Sequence, residues 1–342
     1  MSLDFNSLKE TAQAMTVKGK GILAADESNP TCKKRFDSIG VESTEQNRNI
    51  YRDLLFTTNG MQEFISGVIL YDETIRQSTI KEGVPFPDFL SELGVIPGIK
   101  VDAGAKNLSG TDGEKVTEGL DGLDDRLKEY YELGARFAKW RAVITIGQSE
   151  PSGTCISANA HALARYASLC QQNGIVPIVE PEILMDGDHN IEESFLISEE
   201  VLHNVFYELY GQNVELEGMV LKPNMVLSGY NCPEQASVGQ VAELTVRVFK
   251  RCVPSAVPGI AFLSGGQSDE RATAHLNAMN KLLGVSSPWS LTFSYGRALQ
   301  AAALKKWTGK NENISDAQDA FYKRAKLNSL ATKGNYSEDM ES

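Results

Sequence analysis

Charged side chains interrupt several short apolar runs of this sequence, and their spacing points to a shared task. Lys139 and Arg141 stand two apart in FAKWRAVIT, as do Glu180 and Glu182 in IVPIVEPE. Residues two apart on a strand share a face, so each pair projects one way. Lys100 closes GIK, Lys222 lies in GMVLKP, Asp26 ends GILAAD, and Arg297 follows SLTFSY. Burying one isolated charge costs several kcal/mol, and the cost is least where cations and carboxylates meet in a single polar cavity. Structural ion pairing is the alternative for any one Lys and Glu pair. Ser264, Gly265 and Gly266, followed by Gln267, form a loop of small residues before a helix start. Backbone amides in such a loop approach an anion closely, and phosphate is the ligand that geometry suits.

The elements that must position these residues alternate. Eight short apolar runs are expected as strands: Gly21 to Asp26, Ser66 to Tyr71, Val95 to Val101, Phe137 to Thr145, Ile175 to Glu182, Gly218 to Pro223, Gly259 to Gly265 and Ser290 to Tyr295. Helical periodicity falls between them, at Ala160 to Asn173, Ile197 to Tyr210, Val238 to Cys252 and Asp269 to Leu283. Runs this rich in Val, Ile, Leu and Ala are buried on both faces, as in a parallel sheet clad in helices. Eight βα repeats predict an α/β fold, a closed (β/α)8 TIM barrel, whose reacting groups sit where the carboxyl ends of the strands converge. The first strand lacks GxGxxG, which weighs against a dinucleotide-binding fold. Pro97, Pro181 and Pro223 are expected at strand ends or bulges by the mouth. Residues 1–328 read as one domain, Ala105 to Gly122 as a surface excursion, and residues 329–342 as a mobile tail.

Composition excludes several classes. A net charge of -12 leaves no general field for nucleic acid, so any anionic ligand must be held locally. No apolar run approaches the roughly 18 residues of a membrane span, and the first ten residues hold no apolar signal core, so a cytoplasmic protein is expected. Five cysteines without CxxC spacing read as reduced thiols. His161, His189, His203 and His275 form no zinc-type grouping, so no metal or other cofactor is expected.

Seven segments resemble class I fructose-bisphosphate aldolase: LAADES from Leu23, LGVIPGIKVD from Leu93, FAKWRAV from Phe137, VEPE from Val179, LKPNMV from Leu221, FLSGGQS from Phe262 and SYGRALQ from Ser294. The resemblance implies reversible cleavage of fructose 1,6-bisphosphate to dihydroxyacetone phosphate and glyceraldehyde 3-phosphate, a step of glycolysis and gluconeogenesis, through a Schiff base on Lys222. It implies Glu180 as acid and base for the carbinolamine, with Glu182 sharing protons, and Asp26 as base toward the C4 hydroxyl. A helix cap is the plainer role for Asp26 and Ser28. Attack needs an uncharged amine, and an ammonium about 6 Å away, the place implied for Lys139, favours that form by roughly 3 kcal/mol at an effective dielectric near 20.

By the same resemblance Ser264, Gly265, Gly266 and Arg297 hold one phosphate, while Arg35, Lys100 and Arg141, with Ser28 beside them, hold the other. A homotetramer is also implied, and related ketose phosphates suit the same residues. Many members end in a tyrosine that assists proton exchange, whereas this chain stops at Ser342 soon after Tyr336. Cleavage is therefore expected to survive, with proton exchange slower or served by another acid. A zinc-dependent aldolase and a non-catalytic sugar-phosphate binder are the rival readings, the first opposed by the scattered histidines.

Overall fold

The computed structural model describes residues 5–342. Ten strands occur among them: β1 (Gly21–Ala24), β2 (Ile65–Leu70), β3 (Ile96–Lys100), β4 (Ala105–Asn107), β5 (Lys115–Thr117), β6 (Phe137–Ile144), β7 (Val176–Ile183), β8 (Val220–Leu221), β9 (Gly259–Phe262) and β10 (Ser290–Tyr295). Six helices precede the middle of the barrel: α1 (Phe5–Met15), α2 (Asn29–Asp37), α3 (Glu45–Phe56), α4 (Asp72–Ile75), α5 (Phe86–Glu92) and α6 (Leu123–Glu132). Six follow: α7 (Gly153–Gln172), α8 (Ile191–Gly211), α9 (Val238–Cys252), α10 (Asp269–Leu283), α11 (Arg297–Trp307) and α12 (Ile314–Thr332).

Eight strands close into a parallel barrel in the order β1-β10-β9-β8-β7-β6-β3-β2. The expected TIM barrel is the observed one. Two apolar clusters follow from the alternation of side chains along the strands. Ile22, Ile69, Phe137, Ile178, Val220 and Ala261 fill the interior, and Leu8, Ala12 and Met15 of α1 close it from below. Trp140, Val179, Leu221 and Phe262 belong to the larger cluster under the helices, where Trp140 stacks on Tyr166 of α7 at 5.5 Å between ring centroids. A Cβ at Gly98 would overlap the Phe137 ring, so glycine is required for that ring to enter the barrel.

Helix starts are encoded locally. Asn190 and Ser237 each form a capping box, before α8 and α9. Helices α9 and α10 run over the expected residues, whereas α7 and α8 begin earlier, behind caps at Ser152 and Asn190.

Three expectations need correction. Pro97 pairs with Val68 and Pro181 with Ala142 inside their ladders, and only Pro223 lies past its strand. The excursion after β3 contains the antiparallel β4 and β5 hairpin, with Glu114 accepting from Ser152 N at 2.7 Å and Lys115 O accepting from Asn159 Nδ2 at 2.8 Å. The boundary at residue 329 cuts α12, and beyond it Tyr336 is buried while Glu341 pairs with Arg324. A buried guanidinium needs that carboxylate, which anchors the segment.

Candidate active site

The carboxyl ends of the strands open into a cavity of about 690 Å³ lined by seven basic and five acidic side chains. A protein of net charge -12 thus carries a locally cationic mouth. All the singled-out residues line it: Asp26, Ser28, Arg35, Lys100, Lys139, Arg141, Glu180, Glu182, Lys222, Ser264, Gly265, Gly266 and Arg297.

Register brings the charged strand residues level. Lys100 of β3 pairs with Lys139 of β6, and Arg141 pairs with Glu180 of β7. Lys222 follows β8 directly, and its amide donates to Val179 O at 2.8 Å. The two-residue β8 leaves the amide of Ile183 without a strand partner, and Asn224 Oδ1 accepts it at 3.0 Å.

Three buried groups, Lys222, Glu180 and Lys139, make the centre, with the partly buried Asp26 and Asp102 beside them. Lys222 Nζ lies 3.2 Å from Glu180 Oε1, and Lys139 Nζ lies 3.6 Å from Glu180 Oε2. Glu180 therefore bridges two lysines, and its Oε2 is buried without a hydrogen-bond partner. Lys139 Nζ also stands 2.7 Å from Asp26 Oδ2 and 3.8 Å from Asp102 Oδ2. Burial alone would raise the Asp26 carboxyl, but Lys139 and Lys222 outweigh it and hold the group well below the usual carboxylate range. Burial alone would lower the Lys139 ammonium, but Asp26, Glu180 and Asp102 hold it charged far above the ordinary lysine range. The lone ammonium expected beside Lys222 is thus one member of a charge cluster, its field offset by three carboxylates.

Other partners redistribute the expected roles. Glu182 is ion-paired with Arg141 Nε. Ser28 occupies the N-cap position of α2 but caps no amide, its Oγ lying 3.1 Å from Thr31 Oγ1. Lys100 donates to Asp102 Oδ1 at 2.6 Å. Arg35, expected with Lys100 and Arg141, lines the mouth with them and also shares a smaller cavity with Arg297, close to Gly296. Buried Glu27 explains that position, since it pairs with Arg35 and, at 2.6 Å, with Arg52.

Gly265 and Gly266 both have positive φ, 56° and 81°, a turn that glycine adopts without strain. Ser268 then caps α10, and Gly296 leads into α11 at Arg297, so two helix starts face the same end of the mouth. Tyr230 lines this end too, its hydroxyl donating to Gly265 O at 2.5 Å. Burial pushes that hydroxyl up, and Arg297 offsets part of the shift. Tyr336 is not at the mouth, because its amide donates to Asn277 Oδ1 and its hydroxyl to Glu341 Oε1.

The sequence reasoning missed Asp102, Glu27, Asn224 and Tyr230. Asp102, Glu27 and Asn224 left a signal, since they stand in the matched segments LGVIPGIKVD, LAADES and LKPNMV, whereas Tyr230 left none.

Barrel and mouth together define an enzyme of the (β/α)8 class that sets a buried lysine and carboxylate pair beside a rim of basic side chains. A family profile described as fructose-bisphosphate aldolase class-I matches residues 7–342. A probable fructose-bisphosphate aldolase class 1 of Xanthomonas campestris is 59% identical over 335 residues, covering 98% of this chain and 99% of that one. The cytosolic fructose-bisphosphate aldolase 4 of Arabidopsis thaliana is 57% identical over 323 residues, covering 94% and 82%. A solved fructose-bisphosphate aldolase structure from Plasmodium falciparum superposes with a TM-score of 0.95 at 53% identity, covering 97% of this chain and 95% of that one. The chain belongs to the class I fructose-bisphosphate aldolase family, and it is a carbon-carbon lyase.

Proposed function

We propose that Lys222 carries the reversible cleavage of fructose 1,6-bisphosphate as a Schiff base, with Glu180 as its proton partner. The observation that supports this most directly is the buried contact of Lys222 Nζ with Glu180 Oε1 at 3.2 Å. Glu180 takes a proton from the Lys222 amino group, the freed amine attacks the ketone carbon, the attacking nitrogen passes a proton to the carbinolamine oxygen, and Glu180 returns its own proton to that hydroxyl so that it leaves as water. The iminium accepts the electron pair of the breaking carbon-carbon bond, while Asp26 accepts the C4 hydroxyl proton. Lys139 orients Asp26 and Glu180 by contacting both.

Phosphate is held by the loop of Ser264, Gly265 and Gly266 with Arg297, and Arg35 acts beside Arg297. Lys100, Arg141 and Ser28 serve the other end of the sugar, and Glu182 fixes Arg141.

The protein acts in the cytoplasm as a homotetramer. No helix among the described residues is long and apolar enough to cross a membrane. Tyr207 and Tyr210, 75% and 85% exposed on α8, suit an interface between copies. Sedimentation should give the mass of four chains, and a monomer would remove that assignment.

Borohydride reduction with dihydroxyacetone phosphate, followed by peptide mapping, tests the central claim. Label is expected on the peptide containing Lys222, and none in the Lys222→Met variant. Native cleavage by that variant would refute the assignment.

A further inference from the structure

Away from the mouth, helices α8 and α9 bring three donors together. Glu199 and His203 stand four residues apart on α8, one above the other on a single face. Cys252, buried, is the last residue of α9. Its Sγ lies 3.5 Å from His203 Nε2 and 3.7 Å from the Glu199 carbonyl oxygen. One ligand atom from each residue falls within 4.8 Å of the others, and no other group among the described residues does this. Tetrahedral zinc, with bonds of about 2.3 Å to sulfur and about 2.0 Å to nitrogen, holds those two atoms about 3.5 Å apart. Cys252 and His203 already have that separation.

We propose that Glu199, His203 and Cys252 bind a divalent ion of the zinc class, tying α8 to α9 and leaving a fourth position to solvent. Thiolate with imidazole selects zinc over magnesium or calcium. None of the three residues lines the catalytic mouth, so the ion takes no part in cleavage.

Two features of the metal-free protein must yield. Arg251 Nε is paired with Glu199 Oε1, and its side chain is 53% exposed, so the guanidinium can turn into water as the metal takes the carboxylate. Burial, with Glu199 adding to it, pushes the Cys252 thiol up to about 11. The metal displaces the thiol proton, which passes to solvent as the sulfur-metal bond forms.

The test uses full-length, reduced, chelator-stripped protein titrated with Zn²⁺ against a chromophoric chelator and, separately, with Co²⁺ by absorption spectroscopy. The wild type is expected to take up one zinc and to show a thiolate-to-cobalt charge-transfer band. Cys252→Ser should abolish the band, and both it and His203→Gln should weaken zinc binding at least about tenfold. Arg251→Gln, which frees Glu199, should tighten it. Cleavage rates should be unchanged throughout, and circular dichroism checks that each variant folds. Absence of a stoichiometric zinc complex in the wild type, survival of binding in Cys252→Ser, or no tightening in Arg251→Gln would overturn the site.

Discussion

Replacing Lys139 with methionine removes the one cation that touches three carboxylates of the mouth, Glu180 buried and Asp26 and Asp102 partly so. At an effective dielectric near 20, an ammonium 2.7 Å from Asp26 is attracted by about 6 kcal/mol, and contacts at 3.6 Å and 3.8 Å add about 5 and about 4. Desolvation of the four groups and repulsion among the carboxylates cancel most of this. The measurable loss is expected at about 3–5 kcal/mol, the usual consequence of removing one partner from a buried ionic cluster.

Its pH dependence has a definite sign. Asp26 has a depressed folded value, so its contribution is fully present above its ordinary 3.8 and is lost as pH falls through the folded value. Lys139 has a raised folded value, so its contribution is fully present below its ordinary 10.5 and is lost as pH rises through the folded value. The gap between wild type and Lys139→Met should therefore be flat from about pH 4 to about pH 10 and should narrow at either side. Urea denaturation followed by far-UV circular dichroism measures it. Asp26→Asn combined with Lys139→Met should be less destabilised than the two single losses added together, because the uncompensated charge has gone. A loss below about 1 kcal/mol at neutral pH, or an additive double variant, would refute the reasoning.

Glu180→Gln keeps the shape of the side chain but cannot carry a proton, so kcat should fall roughly 10²- to 10⁴-fold, with borohydride trapping slowed in step. A steady-state assay in which kcat falls less than about tenfold would assign the proton transfer elsewhere. Arg297→Ala removes a charged donor from the phosphate end, and KM for the bisphosphate should rise roughly 10- to 100-fold, with weaker inhibition by inorganic phosphate. An unchanged KM would separate Arg297 from the ligand. Glu341→Gln leaves buried Arg324 with a neutral partner, and stability should drop by about 1–3 kcal/mol while kcat/KM holds. A fall in kcat/KM without a stability change would instead give the C-terminal segment a catalytic role.

Strand and helix positions were legible because each depends on neighbours in the chain. GIAF is wholly apolar, SLTFSY alternates Leu291, Phe293 and Tyr295 with small hydroxyl residues, and Val238 to Cys252 keeps Glu243, Arg247 and Arg251 on its exposed side at helical intervals. The mouth residues were legible for a related reason, since a charge at the end of such a run has nowhere else to be stabilised in a closed barrel. The β4 and β5 hairpin was missed because it is held by contacts with α7, 38 to 44 residues away, more than by turn chemistry.

Residue types and order alone determined that eight strands form, that their carboxyl ends carry lysines and carboxylates, and that the family is the class I aldolases. Tertiary structure decided which charge meets which. Strands β1 and β6 are not neighbours in the barrel, yet Asp26 after the first reaches Lys139 on the second across the mouth. Arg35 turns toward Arg297 because Glu27, itself held by Arg52, meets it there, and Cys252 reaches His203 because two helices pack side by side. Such pairings depend on register, closure and helix packing, which act between residues far apart in the chain, so short-range pattern does not encode them.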